Sequence, residues 1–346
     1  MEMNRLIGSK KVVEYGEFLR FSEKAGGMPR GTLISGEKTI PGYPKIARIF
    51  SLEGGIGKNV QSEEMLVEEK IDGYNVRALM HRNRLLCLSR GGYTDGFAEE
   101  KLSAEPGAGK FFSAHPEWML CGEMVGNTPH TEPTEEYDVR YYVFDIVDER
   151  GEFIPPMERR EICREFGLTP VPLVGVFRKE EIAKLKGAVR KMDKEGKEGV
   201  VIRGLGGEGG IVKFVTPSSD INDLKGNSTA LFDMPMGFMK QRVFRSAVSI
   251  RDLGLKPADY EKRLGEALHC GFGEALDAKE SVQRFRVRVN SHSTWDSILA
   301  GMGREVEVRV EEEKRWGKGY EITFVKAMKE STRRIRRAVE GHSQED

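Results

Sequence analysis

The sequence contains little that would indicate a disulfide framework or a structural zinc site. Its four cysteines, Cys87, Cys121, Cys163 and Cys270, are widely separated, and none of them forms a Cys-x-x-Cys pair. The six histidines show no His-x-x-x-His spacing. We therefore expect reduced, mostly buried thiols and no structural zinc.

Long apolar runs and a net charge are missing as well. No stretch approaches the roughly 20 apolar residues that span a bilayer, and the first residues lack the apolar core of a signal peptide. We expect a soluble, cytoplasmic protein without membrane contact. The 55 Lys and Arg residues balance the 55 Asp and Glu residues. A polyanionic partner would therefore have to be bound by local basic patches.

The most informative motif is Lys-Ile-Asp-Gly at residues 70–73. A lysine attacks the phosphorus of ATP only after its amine has lost a proton, and burial or neighbouring cations promote that loss. Asp72 and Gly73 suit a tight turn that would present Lys70. The motif by itself is short, and a surface turn between two strands accounts for it equally well.

Five further segments follow this motif in order. Each is a strand-like apolar run that carries one or two charged or aromatic residues. They lie at residues 89–93, 120–126, 141–146, 198–203 and 211–215. With the lysine motif, this order resembles the covalent nucleotidyltransferase superfamily of ATP-dependent DNA and RNA ligases and mRNA capping enzymes.

Within that superfamily, the chain is most similar to archaeal homodimeric RNA ligases that circularise RNA. Asn75 stands where many DNA ligases and capping enzymes carry arginine. The segments 74–77, 122–126 and 213–218 resemble the RNA ligases, and so do 41–46 and 233–238 outside the catalytic motifs. The resemblance covers most of the chain.

The patterns predict an α+β protein in four parts. Residues 1–62 form a small N-terminal cap, and residues 63–216 form a nucleotidyltransferase domain, an ATP-grasp-like ligase fold of antiparallel sheets and helices. Residues 217–283 show helical spacing, and the resemblance implies that they build the interface of a homodimer. An ordinary helical subdomain would show the same periodicity. Residues 284–346 form a β-rich C-terminal domain.

The C-terminal part carries an alternating basic segment. A period of two places Arg284, Arg286 and Arg288 on one face of a strand. This face could track RNA phosphates, but a solvated strand face has the same pattern. The basic run at 333–337 is equally open, because basic residues also favour helix ends.

The resemblance implies a three-step reaction. Lys70 attacks the α-phosphorus of ATP and forms lysyl-AMP, AMP passes to a 5′-phosphate on RNA, and a 3′-hydroxyl then displaces AMP and seals the strand. Mg²⁺ is the implied cofactor. All three steps are in-line displacements at phosphorus, so the protein mainly positions groups and neutralises charge.

Three residues have specific expected contacts in this reaction. Arg90, in a Gly-flanked loop, suits a nucleotide phosphate or ribose. By resemblance, Glu123 accepts hydrogen bonds from the ribose and Phe144 stacks on adenine. Each has a structural alternative, which is a turn arginine, an ion-paired carboxylate or a core aromatic residue respectively.

The other expected site residues surround the lysine. By resemblance, Glu198 binds Mg²⁺ directly or through water, and Lys213 contacts the α-phosphate. Glu68 is a candidate for recognising the adenine amino group. Asp72 contributes to the metal site or only caps the turn. The site also includes Gly73 and Asn75, and the contacts of Asn75 and Arg77 stay open.

Two features of the sequence, a missing lysine beside Lys213 and a glycine-rich segment, depart from the family pattern or suggest another one. Many superfamily members have Lys-x-Lys where this chain has Lys213 flanked at the alternate positions by Ile211 and Val215, so one phosphate-binding cation is missing. Residues 204–209 match Gly-x-Gly-x-x-Gly, the dinucleotide fingerprint. A strand pattern follows this segment instead of a helix, so we interpret it as a hairpin loop.

Two alternatives remain. A DNA ligase or capping enzyme usually continues into an OB-fold with a basic motif, whereas a helical pattern follows Lys213 here. A non-catalytic RNA-binding protein with the same fold is the alternative from another class. The chain retains all of the expected charged site residues, which argues against a non-catalytic protein. These residues are Lys70, Arg90, Glu123, Glu198 and Lys213.

Overall fold

The computed structural model describes residues 6–36, 38–206, 209–230, 232–302 and 306–342. Sixteen strands, ten α-helices and two short 3₁₀ helices lie within these ranges. Four sheets, mostly antiparallel, combine with helices in one chain. The predicted α+β class is confirmed.

The N-terminal region forms a sheet of its own and then enters the catalytic sheet. Its strands are β1 (Val12–Tyr15), β2 (Phe18–Phe21), β3 (Leu33–Ser35) and β4 (Lys38–Ile40), antiparallel and in sequence order. The next strand, β5 (Ala47–Arg48), joins a different sheet, and helix α1 (Leu52–Asn59) follows it. The expected cap therefore also contributes an edge strand to the catalytic part.

The first catalytic sheet has the strand order β11-β6-β12-β13-β5. Its strands beyond β5 are β6 (Glu64–Lys70), β11 (Leu173–Arg178), β12 (Gly199–Gly204) and β13 (Ile211–Val215). One face packs on α1 and α5 (Ile182–Lys194) through Val67, Val200 and Phe214. Because side chains alternate along a strand, the opposite face carries the polar residues.

The second catalytic sheet has the order β10-β9-β7-β8. Its strands are β7 (Tyr74–His81), β8 (Arg84–Ser89), β9 (Met119–Gly126) and β10 (Val139–Val147). Helices α2 (Gly96–Ser103), α3 (Pro106–Ala114) and α4 (Pro156–Phe166) cover its apolar face. An ion pair of 2.9 Å between Arg203 and Asp145 joins the polar faces of the two sheets, and a cleft lies between them.

The helical segment after β13 packs as a small bundle. It contains α6 (Pro217–Asn227), α7 (Phe238–Asp252) and α8 (Pro257–Ala278). The side chain of Thr216 accepts a hydrogen bond from the Ser219 amide and caps α6. Ile221, Ile250 and Ala267 form the core between the helices. The helical reading of this segment therefore agrees with the structure.

The C-terminal part is a three-stranded sheet with two helices. The elements are β14 (Val282–Val289), α9 (His292–Gly301), β15 (Val306–Trp316), β16 (Gly319–Met328) and α10 (Lys329–Val339), and β16 is the central strand. Phe285, Trp295 and Phe324 belong to the same hydrophobic core as Phe97 of α2 and Val76 of β7. The C-terminal sheet is thus packed onto the second catalytic sheet.

The alternating arginines of β14 are held in ion pairs. Arg284 contacts Glu311 at 2.7 Å, and Arg288 contacts Glu321 at 2.7 Å. Arg286 contacts Glu135 at 2.6 Å, so it bridges to the catalytic domain. Carboxylates therefore neutralise all three arginines of this β14 face, which favours a structural role for the face over binding of RNA phosphates.

The remaining expectations concern cysteines and membranes. Cys87, Cys121 and Cys163 are buried, Cys270 is exposed, and all four thiols are free. No helix in the described ranges has the length and apolar character needed to cross a bilayer.

Trp295 tests whether the C-terminal sheet shares its stability with the catalytic domain. Its ring is buried against Phe324, with 5.0 Å between ring centroids. Trp295→Ala should lower the free energy of unfolding by about 3–5 kcal/mol because it empties a shared core. Urea denaturation followed by circular dichroism measures this change, and we expect one transition at lower urea.

The matched control is Trp316→Ala. Trp316 is half exposed and stacks on Arg288, so its removal should cost about 1 kcal/mol or less. Equal effects of the two substitutions, or a separate early transition in Trp295→Ala, would contradict the shared core.

Candidate active site

Lys70 is the last residue of β6 and points into the cleft between the two catalytic sheets. Its Nζ donates a hydrogen bond to Oε2 of Glu198, and the two side chains are only 18% and 14% exposed. The turn that follows passes close to β9. A Cβ at Gly73 would lie 2.4 Å from the Met124 carbonyl oxygen, so this turn needs glycine.

Glu198 is positioned by the close pairing of β12 and β13. Gly199, the first residue of β12, has φ +153°, and a Cβ there would lie 2.1 Å from the Phe214 carbonyl oxygen. Glycine therefore allows the chain to enter the sheet directly after Glu198. In the register, Gly199 is paired with Lys70 on one side, so the glutamate is brought beside the lysine.

Three carboxylates surround the single lysine. Burial is the largest cause that raises the pKa of both Glu123 and Glu198 to about 7. The charge of Lys70 opposes the shift, and neighbouring carboxylates add to it. Partial burial, followed by the charge of Asp223, raises the pKa of Asp72. Glu123, Glu198 and Asp72 therefore all ionise less readily than free carboxyl groups.

This group of carboxylates fits a divalent cation. Mg²⁺ binds through one or two carboxylates together with substrate phosphates, and Glu198 and Asp72 are the residues that would hold it. Protein groups alone do not form a complete cage, because no cluster of three His, Cys, Asp or Glu side chains in the described ranges has a metal-binding arrangement.

Several cations converge on the same cleft. Lys213 of β13 has a pKa lowered to about 8, first by burial and then by Lys70, Arg48 and Arg90. Arg90 also lowers the pKa of Glu123, so it lies close to both. The structure thus brings Lys70, Arg90, Glu123, Glu198 and Lys213 together. Arg48 is an addition that the sequence motifs did not indicate.

Asn75 and Tyr142 lie on the same face as Glu123. Both residues are directly opposite Glu123 in the strand register, Asn75 on β7 and Tyr142 on β10. The Oδ1 atom of Asn75 is buried and has no hydrogen-bond partner within the described part of the protein. A ligand hydroxyl or amino group would satisfy it.

A cavity of about 270 Å³ lies beside the lysine. Its lining includes Lys70, Asp72, Tyr142, Lys197, Glu198 and Ser219. A larger cavity of about 570 Å³ lies near Tyr15 and His81, and none of the expected site residues lines it. The smaller cavity is therefore the one relevant to the motifs.

Phe144 does not line this cavity. Its ring packs on Tyr43, with 5.0 Å between ring centroids. Regular alternation along β10 would place Phe144 on the same face as Tyr142. A bulge between Val143 and Asp145 shifts the register of the strand, so the side chain of Phe144 does not project into the cleft. These contacts do not support the expected stacking role of Phe144, and Tyr137 and Tyr142 are aromatic residues that line the cavity.

Glu68 also requires a correction. It is 1% exposed, and its Oε1 accepts hydrogen bonds from Arg159 and, at 2.9 Å, from Arg160. Arg203 lies 3.7 Å from its Oε2. Because guanidinium groups surround this carboxylate, it is not available to an adenine amino group. Glu69 lines the cavity instead, paired with Lys197 at 2.7 Å.

Arg77 has a structural role. Its side chain is fully buried and donates hydrogen bonds to backbone carbonyls of Pro41, Gly31 (2.8 Å) and Ser89 (3.2 Å). It therefore attaches the N-terminal region to the strand end that leads into Arg90.

A mostly buried lysine at a strand end, set beside carboxylates and other cations in a cleft between two mostly antiparallel sheets, fits the site of a nucleotidyltransferase. Residues 63–215, which include both catalytic sheets except β5, match the RNA ligase family model.

Comparison with individual proteins extends the likeness over the whole chain. An uncharacterized protein of Methanocaldococcus jannaschii is 29% identical, over 84% of this chain and 79% of that protein. A solved structure from Aquifex aeolicus, provisionally assigned as an ATP-dependent DNA ligase, has a TM-score of 0.90 at 24% identity and covers 99% of both chains. An archaeal ATP-dependent RNA ligase has a TM-score of 0.90 at 24% identity, over 99% of this chain and 96% of that one. These two structures show that the complete fold is shared.

Glu68→Gln tests the structural role of Glu68. The substitution removes the closer of the two carboxylates that contact buried Arg159, the other being Asp145 at 3.8 Å. We expect a loss of about 3 kcal/mol in the free energy of unfolding, measured in urea. Exposed Glu63, which pairs with Lys179 at 3.5 Å, provides the control: Glu63→Gln should cost less than about 0.5 kcal/mol. Normal stability of Glu68→Gln combined with lost nucleotide binding would restore the adenine role.

Glu123→Gln tests the crowding of carboxylates. Because the pKa of Glu123 is about 7 in the folded protein and its ordinary value is 4.5, the folded state holds a proton that the unfolded chain releases. Stability should fall as the pH rises from about 4.5 to about 7. Glu123→Gln should reduce this fall and stabilise the protein by about 1–2 kcal/mol at pH 8.

Melting temperatures between pH 5 and pH 8 measure this effect. The control is Glu161→Gln on the exposed surface of α4, which should melt like wild type at every pH. A Glu123→Gln variant that is less stable than wild type at pH 8 would show that the carboxylate is favourably charged there.

Proposed function

We propose that the protein is an ATP-dependent RNA ligase that joins 5′-phosphate and 3′-hydroxyl ends through a lysyl-AMP intermediate on Lys70. One observation carries this proposal: in a domain of the RNA ligase family, Lys70 contacts Glu198 inside a cleft that also holds Lys213 and Arg90. The name of the archaeal structural neighbour supports ATP as the nucleotide.

In the first step, the amine of Lys70 attacks the α-phosphorus of ATP. Its proton passes to Oε2 of Glu198, whose pKa of about 7 makes it a suitable acceptor at neutral pH. The bond from Nζ to phosphorus forms while the bond from the α-phosphorus to the bridging oxygen breaks, and that electron pair leaves with pyrophosphate. Lys213 and Arg90 neutralise the phosphate charge that develops.

The second and third steps transfer AMP and release it. An oxygen of the RNA 5′-phosphate attacks the α-phosphorus, the bond to Nζ breaks, and Lys70 recovers its proton from Glu198. The RNA 3′-hydroxyl then attacks the activated 5′-phosphorus, its proton goes to solvent, and AMP leaves with the electron pair. Binding the two RNA ends close together is the protein's main task in this last step.

The adenosine is held by residues of the second catalytic sheet. Glu123 accepts hydrogen bonds from the ribose, and the unpaired Oδ1 of Asn75 accepts one from the nucleotide. Tyr142 stacks on adenine in the cavity beside Lys70. This assignment replaces the two sequence-based roles that the contacts of Glu68 and Phe144 do not support.

Mg²⁺ belongs to the same proposal. Oε1 of Glu198 makes no hydrogen bond to described residues, and together with Asp72 and the substrate phosphates it would hold the ion. Bound Mg²⁺ would neutralise the polyphosphate and make pyrophosphate a better leaving group.

Circularisation of RNA and a homodimer are also proposed, because they are implied by the resemblance to archaeal RNA ligases. Exposed apolar side chains within the helical segment 217–283 support a second copy as partner, since large apolar patches mark interaction sites. They are Phe232 (43% exposed), Met236 (90%), Phe244 (62%) and Leu276 (43%). A cytoplasmic location stays a prediction.

A DNA ligase is the second candidate, because the Aquifex aeolicus structural neighbour is provisionally assigned as one. The helices α6–α8 and the three-stranded C-terminal sheet stand where DNA ligases and capping enzymes usually have a five-stranded OB-fold. This difference favours RNA. Nicked DNA and single-stranded 5′-phosphorylated RNA, offered in parallel, separate the two activities.

The decisive test of the proposal is labelling with α-labelled ATP and Mg²⁺, followed by denaturing electrophoresis and peptide mapping. We expect the label on Lys70. Lys70→Ala and Lys70→Arg should lower labelling and RNA joining at least about a thousandfold, because no other nucleophile replaces the amine.

Lys179→Ala is the matched control. Lys179 lies at the far end of the first catalytic sheet, beside Glu63, and its removal should leave labelling at the wild-type level. Absence of label from wild-type protein with both ATP and GTP would overturn the proposed chemistry, and labelling by GTP alone would indicate a capping enzyme.

A further inference from the structure

Arg48 lies directly beside Lys213 on the edge of the first catalytic sheet. Strand β5 pairs with β13 in parallel, and the register places Arg48 opposite Lys213 and Ala47 opposite Val212. The amide of Ile49 continues the pairing with a 2.9 Å hydrogen bond to the Lys213 carbonyl. This short edge strand therefore has a fixed register.

The alternation of side chains turns Arg48 toward the cleft. Val212 and Ile49 belong to the core beneath the sheet. Paired residues of a parallel sheet project to the same face, and neighbours along a strand project to opposite faces. Arg48 and Lys213 therefore share the face that also carries Lys70.

Arg48 is an exposed cation without a carboxylate of its own. Its guanidinium makes no hydrogen bond or ion pair within the described ranges, whereas the neighbouring Arg245 is bound to Asp220 and Arg242 to Asp223. Partial burial, and then the charge of Arg245, lower the pKa of Arg48. Two adjacent cations, Arg48 and Lys213, thus lack a counter-ion, and an anionic ligand would relieve their repulsion.

The position of Arg48 indicates which part of a ligand it meets. In the order β6-β12-β13-β5, Arg48 is three strands away from Lys70, or about 14 Å at the usual strand spacing. Lys213 lies between them. When Lys70 attacks the α-phosphorus, in-line geometry requires pyrophosphate to leave on the side opposite Nζ. That side is the side of Arg48.

The same geometry applies to the second step in reverse. Lys70 is then the leaving group, so the attacking RNA phosphate must enter from the side opposite Nζ. Pyrophosphate and the RNA 5′-phosphate therefore occupy the same subsite in turn.

We propose that Arg48 is the second phosphate-binding cation of this cleft, and that it binds pyrophosphate in the first step and the RNA 5′-phosphate in the second. This inference rests on the proposed function. It accounts for Ile211 and Val215 in place of the second lysine of Lys-x-Lys, because the cation comes from the adjacent strand instead of from β13 itself.

The test compares Arg48→Ala and Arg48→Lys with wild type in three reactions. The first is formation of lysyl-AMP at varied ATP. The second is release of ATP from purified lysyl-AMP enzyme at varied pyrophosphate, and the third is transfer of AMP to a 5′-phosphorylated RNA oligonucleotide. Arg82→Ala is the control, because Arg82 lies in the β7–β8 turn, at the opposite end of β7 from Gly73.

Arg48→Ala should lower the efficiency of all three reactions by about ten- to a hundredfold, the usual effect of losing a hydrogen bond from a charged donor. Arg48→Lys should recover part of the loss. Binding of AMP to unmodified enzyme should change less than about twofold, because AMP lacks the leaving phosphates, and this readout also shows that the variant is folded. Arg82→Ala should match wild type throughout.

Three results would overturn the inference. First, Arg48→Ala could match wild type in both the pyrophosphate and the RNA reactions. Second, it could be slowed in only one of these two reactions. Third, its AMP binding could weaken by the same factor as its reactions. The wild-type arm separates the two proposals, because labelled Lys70 in wild type supports the proposed function whatever Arg48→Ala does.

Discussion

The ion pair between Lys70 and Glu198 is the interaction on which the chemistry of the cleft depends. It joins the end of β6 to the start of β12 and gives a half-buried ammonium group a charged partner. A buried charge without a partner is costly, so the pair fixes both side chains. In the proposed reaction, the raised pKa of Glu198 would let it accept the proton of Lys70 when the amine attacks.

Beneath this pair, a buried network fixes the distance between the two catalytic sheets. Arg159 contacts Glu68 of β6 and the Phe144 carbonyl of β10, and Arg203 of β12 contacts Asp145. Tyr43 donates a hydrogen bond to the same aspartate. Each charge has an opposite partner, so the attraction between partners offsets part of the desolvation penalty of the network. The base of the cleft therefore consists of ion pairs. Of the polar groups that would face a ligand, Oδ1 of Asn75 has no hydrogen-bond partner among the described residues.

The sequence indicated much of the fold and the main catalytic set, because both depend on local patterns. The strand patterns, the helical segment after Lys213 and the order of the motifs predicted an α+β RNA ligase. The fold is confirmed, and residues 63–215 match the RNA ligase family model. The contacts of Glu68 and Phe144 do not support their expected roles. Partner side chains that are distant in the chain surround Glu68, and a bulge in β10 redirects Phe144, and neither feature has a local signal.

The sequence by itself determined which residues alternate on each strand, since side-chain direction in a strand follows a period of two. It also indicated the motif that holds the candidate nucleophile. The tertiary structure alone decided the partners. Arg159 is 91 positions from Glu68, and Glu198 is 128 positions from Lys70. Arg48 reaches the cleft only because β5 pairs with β13. Contacts of this kind depend on how sheets pack and how strands align, and a linear pattern does not encode either directly.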